Sequence, residues 1–296
     1  MTGNSIRESN APHGPWQQGG AVHDWRGGSR DGNLRPSSSI ASLIVPTIAL
    51  VTRPSSHRPD AVIVHGALGS AAQMQPVADA LTASGRFGTV AVLELPGHGR
   101  TPLDDDAGFS MPGFADALAA GITARGMEQP LIFGYSMGGY VALLLESRAP
   151  GTLGGIVTFG TKLHWTNEVA AAASARLDAA VLRAKAPAFA DILAARHAEA
   201  GGWERMLART GALLRALGAS PWLDTPALTA VHCPVHLLVG ADDDTVHFEE
   251  AATAASHIPH ARASLLENVS HPIERVPLAL IVREMTDLAA SLEVTP

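Results

Sequence analysis

The stretch Gly134-Tyr135-Ser136-Met137-Gly138 constrains this chain more than any other. It stands between the apolar run Pro130-Leu131-Ile132-Phe133 and the helix-forming run Tyr140-Val141-Ala142-Leu143-Leu144-Leu145, so it reads as strand, sharp turn and helix with a serine at the apex. Glycines two residues before and two after the serine suit a turn whose backbone leaves no space for side chains crossing beneath it. The hydroxyl is pushed out of the sheet at the start of a helix, where N–H groups without intrahelical partners can meet a developing negative charge. Such a pentapeptide recurs by chance in a chain with 29 glycines, and a plain turn with a serine cap fits it too. The flanking strand and helix favour a catalytic site.

The surrounding sequence alternates in the way such a turn requires. Ala61-Val62-Ile63-Val64 is a short apolar strand that runs into His65-Gly66-Ala67-Leu68-Gly69-Ser70, a loop able to bring its backbone close to a ligand. A helix from Ala71 to Ala83 follows, then a strand from Thr89 to Leu95 ending in Pro96-Gly97-His98-Gly99-Arg100-Thr101. Next come a helix near Pro112 to Arg125, the serine turn with its helix, and a strand from Gly155 to Gly160. This alternation predicts an α/β fold: a mostly parallel sheet with helices on both faces and a site at the strand ends.

From 161 to 231 the alternation stops, and the chain is helix-like from Asn167 to Lys185, Pro187 to Ala200 and Trp203 to Leu217. An all-helical insertion between two parallel strands is most simply a lid over the strand ends. Leu163, Trp165, Phe189, Met206, Leu213 and Trp222 are candidate pocket linings, with Arg176, Arg183 and His164 at the rim. Taken singly, each of these more often packs the lid or faces solvent. The sheet resumes at Val235 to Val239 and ends in Gly240-Ala241-Asp242-Asp243-Asp244-Thr245. A helix near Glu249 to Ser256, a strand from Ala263 to Glu267, the loop Asn268-Val269-Ser270-His271-Pro272 and a closing helix from Pro277 to Leu292 complete it. The expected organisation is a disordered tail over 1–39, a core formed by 40–160 and 232–296, and the lid over 161–231. The segment Ile40 to Val51 supplies one strand, or two around Pro46.

Composition narrows the partners. A formal charge of -7 and the lack of any Lys/Arg cluster argue against nucleic acid. The single cysteine, Cys233, excludes an intramolecular disulfide and reads as a small core residue before Pro234. No secretory signal pattern is found, and Ile40 to Val51 is about half a membrane span, so the expectation is a cytoplasmic protein without a membrane span. His257 and His260 are helical neighbours without an H-E-x-x-H or a convergent Cys/His set, and neither nucleotide-loop spacing occurs; no metal and no cofactor are expected.

A serine hydroxyl needs a base to take its proton, usually a histidine oriented by a carboxylate. His271 follows one late strand, and the cluster Asp242 to Asp244 follows the strand before it. The order Ser, Asp, His is the one this architecture uses. Through His65-Gly66-Ala67, Leu95-Pro96-Gly97-His98-Gly99, Gly134-Tyr135-Ser136-Met137-Gly138-Gly139, Gly240-Ala241-Asp242-Asp243 and Ser270-His271, the chain resembles the α/β-hydrolase superfamily over nearly all of Ala61 to Leu292. The resemblance implies Ser136 as nucleophile, His271 as base and Asp243 as acid, with oxyanion donors at the backbone N–H of Met137 and Ala67, and Leu68 as second choice. Leu68 and Trp165 are the expected substrate contacts, and His65 and His98 brace loops. Members usually open with an antiparallel hairpin, for which only Ile40 to Arg53 is available, and Glu94 stands where many carry Asp.

What this implies is a cofactor-independent serine hydrolase of a small, largely apolar carboxylic ester or thioester, acting through an acyl-enzyme; a homodimer is left open. Two alternatives stand beside it. Relatives with similar His-Gly-x-Leu-Gly-Ser and Gly-Tyr-Ser-Met-Gly-Gly motifs are lyases or carbon–carbon bond hydrolases, although the menaquinone-pathway lyases tend to carry Arg where Tyr140 stands here. Others of this fold are non-catalytic small-molecule receptors.

Overall fold

A computed structural model describes residues 58–102 and 108–293. The expected tail, the expected strand within Ile40 to Val51 and the last three residues lie outside the described residues. Six strands, β1 (Ala61–Val64), β2 (Val90–Leu93), β3 (Leu131–Tyr135), β4 (Gly155–Phe159), β5 (Val235–Gly240) and β6 (Ala261–Leu266), form one sheet in the order β2-β1-β3-β4-β5-β6. Every pairing is parallel, with Val64 opposite Gly134 and Tyr135 opposite Phe159 in the registers that bring the strand ends level. The near-continuous apolar strands follow from this: a parallel sheet is covered on both faces, so alternate residues enter different cores rather than core and solvent. Val62, Val64 and Ile132 pack with α2 (Met111–Ala124), α3 (Met137–Arg148) and α9 (Phe248–His257). Ala61, Ile63, Leu131 and Phe133 pack on the other side with α1 (Ala71–Ala83) and α10 (Leu278–Glu293). On α1 the buried stripe is Met74, Val77, Ala78 and Leu81, at helical spacing.

Between β4 and β5 the chain is helical throughout: α4 (Asn167–Ala175), α5 (Ala179–Lys185), α6 (Pro187–Arg196), α7 (Trp203–Ala219) and α8 (Thr225–Thr229). Two details differ from the sequence expectation. The expected helix over Asn167 to Lys185 is broken, because the Asp178 side chain accepts a hydrogen bond from the Val181 N–H at 2.8 Å and starts a new helix there. The short α8 was hidden by its length, although Asp224 caps it through the Ala227 N–H at 2.9 Å and Pro226 stands in its first turn. No helix among the described residues is long and apolar enough to cross a membrane.

Candidate active site

Ser136 connects β3 to α3 with φ 50° and ψ −114°, a conformation that side-chain-bearing residues adopt only when their surroundings force it. The surroundings do force it. The Ser136 N–H donates to the Phe159 carbonyl at 2.8 Å, and its own carbonyl accepts from Thr161 Oγ1 at 2.9 Å, so both sides of the residue are tied to the end of β4 and the loop that follows it. A Cβ on Gly138 would overlap the carbonyl of Val64, so the start of α3 can lie against the end of β1 only if that position is glycine.

His271 and Asp243 meet beside this turn. His271 Nδ1 is 2.7 Å from Asp243 Oδ2; a carboxylate can only accept, so Nδ1 carries the proton and Nε2 is left as the basic nitrogen. Asp243 Oδ1 accepts from the N–H groups of Thr245 and Val246 at 2.8 and 2.9 Å. Burial alone would raise this carboxyl, but the hydrogen bond and charge of His271 together with the two N–H groups outweigh it and hold Asp243 below the usual carboxylate range. Of the three adjacent aspartates, only Asp243 is buried; Asp242 and Asp244 are exposed. Gly160, at φ +63°, gives the imidazole its place, since a Cβ there would come within 2.9 Å of His271 Cε1 and Nδ1.

Ser136 and His271 line one cavity of about 600 Å³ with Ala67, Leu68, Met137 and Trp165. All the residues singled out for the site except Asp243, which stands behind the imidazole, are thus gathered around one space. The N–H groups of Ala67 and Met137 have no partner among the described residues and flank the serine.

The remaining expectations divide. Phe189 and Arg176 line the cavity, but Leu163 and His164 line a second hollow of about 470 Å³ on the far side of Trp165, which borders both. Met206 and Leu213 are buried in the core, the more frequent place for each taken singly, while Leu207, Thr210 and Leu214 of the same helix face the cavity. Trp222 is 52% exposed, and Arg183 pairs with Asp191 and lies over the Trp203 ring. Burial drives the Cys233 thiol upward, away from the reactive range. His65 donates from Nδ1 to the Gly66 carbonyl at 2.8 Å and accepts the Leu95 N–H at Nε2; burial lowers it to about 4, so it is a neutral loop brace. Among the described residues no group of three His, Cys, Asp or Glu side chains converges to hold a metal.

Several contributors were not foreseen. Glu94 accepts the N–H of Ala71 at 2.6 Å and of Arg100 at 3.3 Å, joining the first turn of α1 to the loop after β2. Tyr140 Oη accepts the N–H groups of Trp222 and Leu223, both at 3.0 Å, and fixes the chain where the helical insertion returns to the sheet. Arg196 and His197, at the end of α6, both bind the Leu68 carbonyl. Partners more than 80 residues away leave no local signal in a sequence; for Glu94 the carboxylate in a loop-ending strand was the one visible hint.

Comparison with known proteins follows the same lines. A family model described as the alpha/beta hydrolase family matches residues 61–284. The chain is 29% identical over 242 residues to a pimeloyl-(acyl-carrier protein) methyl ester esterase of Aromatoleum aromaticum, which covers 73% of this chain and 92% of that one. Among solved structures it is similar to NosK from Streptomyces actuosus, with a TM-score of 0.66 at 21% identity over 80% of this chain and 99% of that one. It is also similar to E-2-(acetamidomethylene)succinate hydrolase, with a TM-score of 0.62 at 19% identity over 78% and 91%. At such identities these two structures speak for the fold alone.

Proposed function

The chain belongs to the alpha/beta hydrolase family, and from that premise we propose that it hydrolyses a carboxylic ester or thioester with a small, largely apolar acyl group through an acyl-enzyme. The observation that carries this reading is the union of the strained Ser136, the His271–Asp243 hydrogen bond and two unpartnered N–H groups around one cavity. In it, Ser136 Oγ attacks the carbonyl carbon while its proton passes to His271 Nε2, and Asp243 holds the imidazole and offsets the charge it gains. The carbonyl oxygen, now negative, is met by the N–H groups of Met137 and Ala67. Collapse expels the alcohol or thiol with the proton from His271, and water repeats the sequence on the acyl-enzyme to release the acid.

The helical insertion over 161–231 acts in this reading as a lid, and its cavity-facing residues Val169, Leu182, Leu207 and Leu214 suit an aliphatic acyl chain. The relative named as a pimeloyl-(acyl-carrier protein) methyl ester esterase supports an ester substrate. The test is Ser136→Ala measured on a graded panel of p-nitrophenyl esters and acyl thioesters. Turnover should fall by about 10⁴ or more, and labelling by a fluorophosphonate probe should vanish. A variant that keeps its rate sinks the proposal.

A further inference from the structure

The turn carrying Ala67 and Leu68 is not self-supporting. Leu68 has φ 59°, in the left-handed region where a leucine is strained, and the turn's one internal backbone bond is Gly69 N–H to the Gly66 carbonyl at 3.1 Å. The Leu68 carbonyl is instead held from the helical insertion. Arg196 Nη1 donates to it at 2.8 Å and His197 Nε2 donates to it at 3.0 Å, two donors converging on one oxygen from the end of α6. The same imidazole accepts the Gly99 N–H at Nδ1, at 3.0 Å, so its tautomer and orientation are fixed by the loop after β2. His197 is fully buried, and the carboxylates of Glu94 and Glu274 face the half-buried Arg196 guanidinium.

We propose that Arg196 and His197 are positioning residues for the oxyanion site: by fixing the Leu68 carbonyl they lock the left-handed turn that presents the N–H of Ala67 to the reacting oxygen. The φ and ψ of Leu68 together set the angle between the peptides on its two sides, so holding its carbonyl constrains the peptide before it, and the Gly69–Gly66 bond that closes the turn carries the constraint to the Ala67 N–H. Stabilisation of a developing oxyanion depends on donors already in place, and a small misplacement is felt in the rate rather than in substrate binding. This inference rests on the proposed hydrolase reading and extends it: part of the charge-stabilising apparatus belongs to the lid.

Two isosteric replacements separate the imidazole's two bonds. In His197→Gln the side-chain amide can still donate to the Leu68 carbonyl but gives up Gly99; in His197→Asn the amide oxygen can still accept from Gly99 but gives up Leu68. On a p-nitrophenyl ester, His197→Asn and Arg196→Met should each lower kcat by about 10- to 100-fold with KM within about twofold, while His197→Gln and Arg196→Lys stay within about threefold of the parent. Affinity for a trifluoromethyl ketone, which forms an oxyanion on Ser136, should fall in parallel with kcat, and affinity for the corresponding ether should not. Equal losses in His197→Gln and His197→Asn, or a loss in KM alone, overturn the proposal, as does parental kcat in both His197→Asn and Arg196→Met. Should a histidine variant fail to fold, the Arg196 pair with the two inhibitors decides alone. A parent protein lacking Ser136-dependent turnover of any ester would instead sink the hydrolase reading itself.

Discussion

Ser136 is held at φ 50° and ψ −114° by bonds on both sides of it, and such a conformation costs on the order of 1–3 kcal/mol in a residue with a side chain. That cost is tied to the position and not to the hydroxyl. Ser136→Gly should therefore be more stable than Ser136→Ala by about 1 kcal/mol, a difference of about 2–4 °C in Tm, although both lack the proposed nucleophile. Identical melting curves for the two variants would show that no strain is stored at the turn. At this scale the sequence was most legible where a backbone demand leaves its mark on the residue type. The paired glycines around Ser136 and the aspartates after Gly240 could be read directly; Asp243 was picked from the three only by family resemblance, and the Thr245 and Val246 N–H groups that close on it have no local mark in the sequence. Gly160 carried no sign of its purpose, because the imidazole it accommodates belongs to a loop 111 residues later.

Among the elements, the helical character of the insertion was foreseen, but the break at Asp178, the short α8 and the facing of the helices were not. A stripe as broad as that of α7, with Met206, Leu207, Thr210, Leu213, Leu214 and Leu217 all on one side, can be rolled by a few tens of degrees without exposing apolar surface. Only packing against the sheet decides which flank meets the cavity. Trp165 is the element boundary with the clearest consequence, since it separates the 600 Å³ cavity from the 470 Å³ hollow and donates its indole N–H to the Lys162 carbonyl at 3.2 Å. Trp165→Ala should join the two spaces. Each further methylene buried is worth about 0.8 kcal/mol, so an acyl chain longer by two carbons should gain roughly tenfold in kcat/KM relative to the shorter chain. An unchanged chain-length profile would mean that the indole is not the wall that limits the substrate.

Across the whole molecule, buried histidines set the response to acid. Burial lowers His65 and His236 to about 4, and it lowers His98 and His197 as well. Each folded-state value lies below the 6.5 of the unfolded chain, so the unfolded form takes up protons first and stability is lost as pH falls from about 6.5 toward 4. His65 and His236 each contribute up to ~1.4 kcal/mol per pH unit across that window, and His98 and His197 add in the same direction. Glu146, whose carboxyl burial raises, works in the opposite sense, one group against four. The urea midpoint should fall steadily between pH 7 and pH 5; a flat profile would contradict the burial of these rings. Three of the four stand between the core loops and α6, with His98 packed 4.9 Å from His65 and 6.0 Å from His197. If the helical insertion opens as the proposed lid, the bonds from α6 to Leu68 add a consequence for traffic through the proposed enzyme. Lifting that end of the cover to admit a molecule would slacken the turn on which the proposed chemistry depends, so gating and activation would form a single equilibrium. In that reading an ajar enzyme is an idle one, and an acyl group caught on it waits until the cover reseats.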